Sequence, residues 1–124
     1  MILVDTSVWV DHLRLGDALL AQLLEENAVL MHPYIVGEIA CGSLTNRAAT
    51  LDLLQQMPMA AVAEHDELLG YIEHHKLHGK GIGYVDIHLL ASTAITSATL
   101  WTRDKRLHQT AMALNLAMPP AEAH

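Results

Sequence analysis

The 124-residue chain has a single cysteine, Cys41. One thiol excludes an internal disulfide and fits a reducing compartment. Basic residues are scarce: seven Lys and Arg stand against fourteen Asp and Glu, a formal charge of −7 with histidines neutral. An acidic chain is a poor passive binder of nucleic acid, because phosphate contacts supply most non-specific affinity. Either the partner is not a polyanion, or the acids are gathered where cations neutralise them. Long hydrophobic runs are also missing. Apolar residues make up 52% of the chain, yet no run approaches the roughly 18 residues of a membrane span. Met1-Ile2-Leu3-Val4 meets Asp5 with no basic lead, so no secretory leader is expected. The expected location is the cytoplasm. Repeats, low-complexity segments and linkers are absent too, which predicts one domain over residues 1–124.

What is present starts with Met1-Ile2-Leu3-Val4-Asp5-Thr6-Ser7-Val8-Trp9. Unbroken apolar residues suit a strand covered on both faces, as in a parallel sheet. Asp5 falls at that strand's carboxyl end, the edge where ligands bind in open α/β sheets. Thr6 and Ser7 can cap a helix from Val8 to Leu15, ended by Gly16. Asp17 restarts a helix to about Glu26, with Leu19, Leu20, Leu23 and Leu24 as core or dimer face. Asn27 is the predicted stop. Ala28 to Met31 reads as a second strand. Pro33 suits the first turn of a helix that Gly42 ends. Thr45 opens another helix, which Pro58 breaks.

Met59 to Val62 is a weak strand candidate, and Glu64 to Lys76 a helix. Gly79, Gly81 and Gly83 form a flexible crossing. Tyr84 to Ile95 is a helix apolar nearly all round, so it is expected to be buried on several sides. Ala98 to Trp101 is a strand and Asp104 to Leu114 the last long helix. Leu116 to Met118 reads as a short edge strand, ended by Pro119-Pro120. Strands alternating with helices predict an α/β fold: a mostly parallel central sheet with helices on both faces.

Asp5, Glu38, Asp86 and Asp104 stand where solvated surface acids are not expected. Asp5 and Asp104 follow strands at the same sheet edge. Glu38 borders a buried stripe, and Asp86 lies in the first turn of the nearly all-apolar helix. Partly desolvated carboxylates repel unless a cation sits among them. Hard oxygen ligands select Mg²⁺ or Mn²⁺ rather than zinc. Such an ion reverses the local charge for an incoming phosphate. Ser7 and Thr102 are placed to hold a ligand oxygen or a water. Singly, each acid has a plain structural explanation: Asp104 and Asp5 as helix caps, Glu38 as a rim charge. Asp86 is hardest to explain that way, because its helix has almost no polar face. The joint placement is the signal.

Val4-Asp5-Thr6-Ser7, Glu38 on an early helix, Asp86 in its Val-Asp-x-x-Leu-Ala-like run and Thr102-Arg103-Asp104 together resemble the PIN-domain ribonucleases. The length and the early first acid look most like VapC-type toxins of bacterial toxin–antitoxin pairs. The resemblance spans essentially the whole chain. It implies a three-layer α/β/α sandwich, a Mg²⁺- or Mn²⁺-dependent endoribonuclease, a homodimer and a cognate antitoxin that occludes the site. Carried over by position, Asp5, Glu38, Asp86 and Asp104 would be the catalytic, metal-binding acids. Ser7 and Thr102 would support them.

Arg103, Lys105 and Arg106 flank Asp104 and are expected to form an RNA or antitoxin surface; ordinary solvated helix charge is the equal alternative. His74 and His78 stand four apart, but a solvated surface explains them better than a metal site. His12 and His88 can approach a site, though nothing makes them ligands. His124 is expected to be mobile. Gly79-Lys80-Gly81-Ile82-Gly83 lacks the spacing and trailing Lys-Ser/Thr of a P-loop. Trp9 and Trp101 stand in apolar contexts that do not favour base stacking. Two other functions compete: a metal-dependent phosphatase or DNA nuclease, and a catalytically idle partner-binding protein. An aspartyl-phosphate phosphatase wants a second acid two positions after the first, where this chain has Ser7.

Overall fold

The computed structural model of the protein describes residues 1–118. The predicted stop at Pro119-Pro120 and the expected mobility of His124 lie outside the described residues. The sheet is built on β1, Ile2–Val4, at its centre. Both neighbours, β2 (Val29–Leu30) and β3 (Thr99–Trp101), run parallel to it. Leu3 lies between Leu30 and Leu100, and Val4 pairs with Trp101. Leu3, Val4, Leu30, Leu100 and Trp101 are all buried. That is why these strands carry no polar alternation: both of their faces are covered.

The sheet is one layer of an α/β/α sandwich. Among the described residues seven helices alternate with the strands in the order anticipated: α1 (Thr6–Leu15), α2 (Ala18–Glu25), α3 (Pro33–Ala40), α4 (Arg47–Gln55), α5 (His65–His75), α6 (Tyr84–Ile95) and α7 (Lys105–Ala113). One group packs α1 on α3 and α3 on α4, and another packs α5 on α6. The helix α6 is buried without a break from Ile87 to Thr93, as its lack of a polar face predicts.

Several boundaries differ from the sequence reading, each for a local reason. The first helix starts at Thr6, not Val8, because Asp5 itself takes the N-cap position. The fourth starts at Arg47, not Thr45, after Asn46 adopts a left-handed conformation. The third ends at Ala40, with Cys41 rather than Gly42 as its cap. The expected strand at Met59–Val62 shrinks to a single bridge between Met31 and Met59, and that at Leu116–Met118 to one between Leu100 and Ala117. Each bridge is still parallel and extends the sheet by one residue on either side. Asn27 does stop its helix, with φ +54°. Among the described residues no helix is long and apolar enough to cross a membrane.

Candidate functional site

The carboxyl edge of the sheet gathers the predicted acids. Asp5 leaves β1 with its N–H still bonded to the Trp101 carbonyl of β3, 2.9 Å away. The backbone ladder therefore carries Asp5 beside Thr102, the residue that leaves β3. Asp5 is 7% exposed and Thr102 6%. Asp5 Oδ1 accepts the Thr6 N–H at 2.8 Å. Its Oδ2 accepts two hydroxyls, from Ser7 at 2.9 Å and from Thr102 at 2.7 Å.

Those two hydroxyls form a relay. Ser7 Oγ accepts the Arg103 N–H and Thr102 Oγ1 accepts the Asp104 N–H, each at 3.0 Å. A hydroxyl has one proton to give, and both protons go to Asp5. Ser7 and Thr102 therefore aim a carboxylate instead of presenting a donor to a ligand oxygen. They also tie the start of α1 to the junction before α7.

Each of the other acids gives one oxygen to the fold. Asp104 is the N-cap of α7, with Oδ1 accepting the Leu107 N–H at 2.9 Å. Asp86, in the first turn of α6, accepts the Gly83 N–H on Oδ2 at 3.0 Å. Glu38 Oε1 accepts the Thr6 hydroxyl at 2.6 Å, which brings α3 to the residue after Asp5. Asp86 Oδ1, Asp104 Oδ2 and Glu38 Oε2 take no protein hydrogen bond among the described residues.

The acids feel one another. Burial pushes the Asp86 carboxyl above the ordinary aspartate value, and the charges of Asp5 and Asp104 push it further; the Gly83 N–H works against them. Among the described residues no basic side chain pairs with Asp86. The ion pairs among the described residues both belong to Arg103, and they run to Asp11 and Asp17 instead. Hard carboxylates, three of them close enough to repel, are chemistry that fits a divalent cation. The cage is not preformed: among the described residues no group of three His, Cys, Asp or Glu side chains is arranged to hold a metal ion.

The remaining candidates go elsewhere. Arg103 staples the β3–α7 junction to Asp11 of α1 and to Asp17 at the α1–α2 corner, with its guanidinium 5.7 Å from the Trp101 ring centre. Its charge is committed within the fold. Lys105 and Arg106 are exposed at the start of α7. Arg106 leans over the glycine crossing, where a Cβ on Gly81 would come within 2.6 Å of its Nη1. His12 accepts the Asp17 N–H at 3.0 Å and so braces the corner between α1 and α2. His88 is buried with neither ring nitrogen partnered. Trp9 and Trp101 are buried too, as their apolar contexts imply.

Residues 2–112 match the PIN domain family. The chain belongs to the PIN-domain family. A relative of Mycobacterium tuberculosis, Ribonuclease VapC32, is 48% identical over 108 residues, covering 86% of this chain and 87% of that protein. That protein is from strain CDC 1551 / Oshkosh, and the same values hold for its counterpart in strain ATCC 25618 / H37Rv. The PIN-domain match takes in all four acids, Asp5, Glu38, Asp86 and Asp104, together with Ser7 and Thr102. Thr6, which links Glu38 to the Asp5 neighbourhood, escaped the sequence reading. As a hydroxyl inside a helix-capping run, it carries no signal of a contact 32 residues away.

Proposed function

We propose that this PIN-domain protein is a metal-dependent endoribonuclease, the toxin of a toxin–antitoxin pair. What supports the reading most is the gathering of four acids at one sheet edge with no basic partner among the described residues. The likeness to a protein named a ribonuclease supplies the substrate class. Asp5, Glu38, Asp86 and Asp104 would hold Mg²⁺ or Mn²⁺, which supplies phosphoryl polarisation and a water acidic enough to attack near neutral pH.

The chain's own residues do the rest. Ser7 and Thr102 fix the orientation of Asp5, so one wall of the site is set before substrate arrives. Asp86, whose Oδ2 is held by the Gly83 N–H, would offer its open Oδ1 to the ion. Lys105 and Arg106 offer positive charge to an RNA or antitoxin surface beside Asp104. A homodimer and a cognate antitoxin complete the proposal.

Hydrolysis by this route leaves a 5′-phosphate and a 3′-hydroxyl. The test is RNA cleavage with Mn²⁺, with EDTA and by Asp5→Asn, followed by end-group analysis. Cleavage that depends on Mn²⁺ and on Asp5, with those ends, is the expected result. Cyclic phosphate ends, or undiminished cutting in EDTA, would sink it. A second reading, an idle partner-binding protein, draws on the absence of a preformed ligand trio. A calorimetric Mn²⁺ titration separates the two, since only the nuclease reading requires the ion to bind.

A further inference from the structure

A cavity of about 570 Å³ opens beside the acid edge, between the end of α1, the end of α3 and the start of α4. That volume falls inside the roughly 300–1,000 Å³ range of sites for small organic groups. Glu38 belongs to both places: it lines the cavity and holds the hydroxyl of Thr6, next to Asp5. Part of the lining is apolar, with Val10, Leu13 and Leu44. Val10 and Leu13 remain 41% and 38% exposed, so the described residues leave them open. The same lining carries polar groups from Arg14, Ser43 and Thr50.

The far lip is built rather than loose. Arg47 donates to the carbonyls of Ala40 and Gly42, closing the end of α3. Thr50 Oγ1 donates to the Thr45 carbonyl at 3.2 Å. With its proton spent there, Thr50 presents an acceptor to whatever enters.

We infer that this cavity receives the nucleobase adjoining the cleaved phosphodiester and so sets the base preference of the cut. The inference rests on the nuclease reading above. Because Glu38 both lines the cavity and contacts Thr6 beside Asp5, an RNA strand with a phosphate at the acids has the cavity beside it for an adjoining base. A splayed base offers flat apolar faces to Val10, Leu13 and Leu44. Its edge offers donors and acceptors to Arg14, Ser43 and Thr50, the usual terms of single-strand RNA recognition. An apolar peptide helix fits less well, because it would bury Arg14 and the hydroxyls without partners.

The experiment cuts an RNA pool with random bases around the cleavage point and sequences the ends. The proteins are wild type, Leu13→Trp, Arg14→Ala and Asp5→Asn, with melting curves to confirm folding. Wild type should prefer one base at one flanking position by roughly tenfold. Leu13→Trp and Arg14→Ala should change the preference at that position and at no other. Wild-type preference at every position in both variants would overturn the subsite, and would also be the outcome if a peptide occupies the cavity. Cutting by Asp5→Asn at the wild-type rate would overturn the nuclease reading, and the subsite with it. A second measurement needs no cleavage. Asp5→Asn protein should bind RNA with an abasic residue at the flanking position about tenfold more weakly than intact RNA. Adding Arg14→Ala should shrink that difference, and an unchanged difference counts against the subsite.

Discussion

Two polar clusters meet the helix α6, and they handle charge in opposite ways. Residues two apart on a helix do not share a face, so Asp86 and His88 point to different neighbours. Asp86 faces Asp5 and Asp104, and their repulsion adds to burial in raising its carboxyl. The other cluster holds His32, His88 and Ser92, all buried. There His32 Nδ1 accepts the Tyr34 N–H at 3.0 Å, capping α3, which leaves the proton on Nε2 to meet Ser92 Oγ at 3.1 Å. Burial, then the neighbouring His88, pushes His32 down to about 4. Burial and His65 lower His88 as well. The ring of His88 packs edge-on against Tyr34 and Tyr84. One cluster keeps like charges together at an open edge. The other keeps its rings neutral and spends them on packing. The first is the cluster proposed to hold an ion; the second packs the fold.

Mutation should separate the two. The largest expected effect is on chemistry: Asp86→Asn should lower RNA cleavage on the order of 100-fold or more. The melting temperature should hold or rise, because the amide oxygen can still accept the Gly83 N–H without the repulsion. A variant that cuts like wild type would erase the distinction. In the histidine cluster, His32→Ala should cost about 3 kcal/mol in denaturant unfolding, through a lost cap and a new cavity. Its cleavage should fall only as far as the folded fraction falls.

The third effect is on pH. His32 sits at about 4 in the fold against an ordinary value of 6.5. The unfolded chain therefore binds a proton that the folded chain refuses. Stability from this group should be full above about pH 6.5 and should decline toward pH 4, by about 3 kcal/mol. Asp86 has the opposite sign: its raised carboxyl favours the folded state as pH falls. Unfolding measured from pH 7 to 4 should show the net decline in wild type and a flatter curve in His32→Asn. A steeper curve in that variant would contradict the assignment. Smallest is Arg103→Met, which removes two ion pairs while covering Trp101. It should cost about 1 kcal/mol or less, with the loss shrinking in high salt. The same variant should weaken cleavage only modestly, since the Arg103 backbone N–H, not its side chain, reaches Ser7.

Three of the acids, Asp5, Asp86 and Asp104, were legible in the sequence because each directly follows a strand or opens a helix, whereas Glu38 stood out only as the border of a buried stripe. Those positions converge in any parallel α/β sheet. The histidine cluster was not legible. His32 stands between a strand and a proline with no pattern of its own, and His88 reads as a residue able to approach a site, though nothing makes it a ligand. Their meeting depends on how α3 packs near α6, which no local pattern encodes. Arg103 misled for a related reason. Standing beside Asp104, it reads as surface charge for a partner, yet Asp11 and Asp17 claim it across the α1–α2 corner. The short strands at Met59 and Leu116 were over-read because apolar runs cannot show how many ladder partners await them. Elements whose partners are adjacent strands came through, and contacts that need helix-on-helix geometry did not.

Three of the four acids also hold up helices: Asp5 and Asp104 as N-caps, Asp86 through Gly83. Glu38 alone sits inside a helix and caps nothing. Drift at the first three therefore frees a helix end as well as changing the edge, whereas drift at Glu38 gives up one side-chain contact, to the Thr6 hydroxyl, and no helix cap. A lineage able to soften its nuclease without forfeiting the domain has one inexpensive place to do so, and it is Glu38.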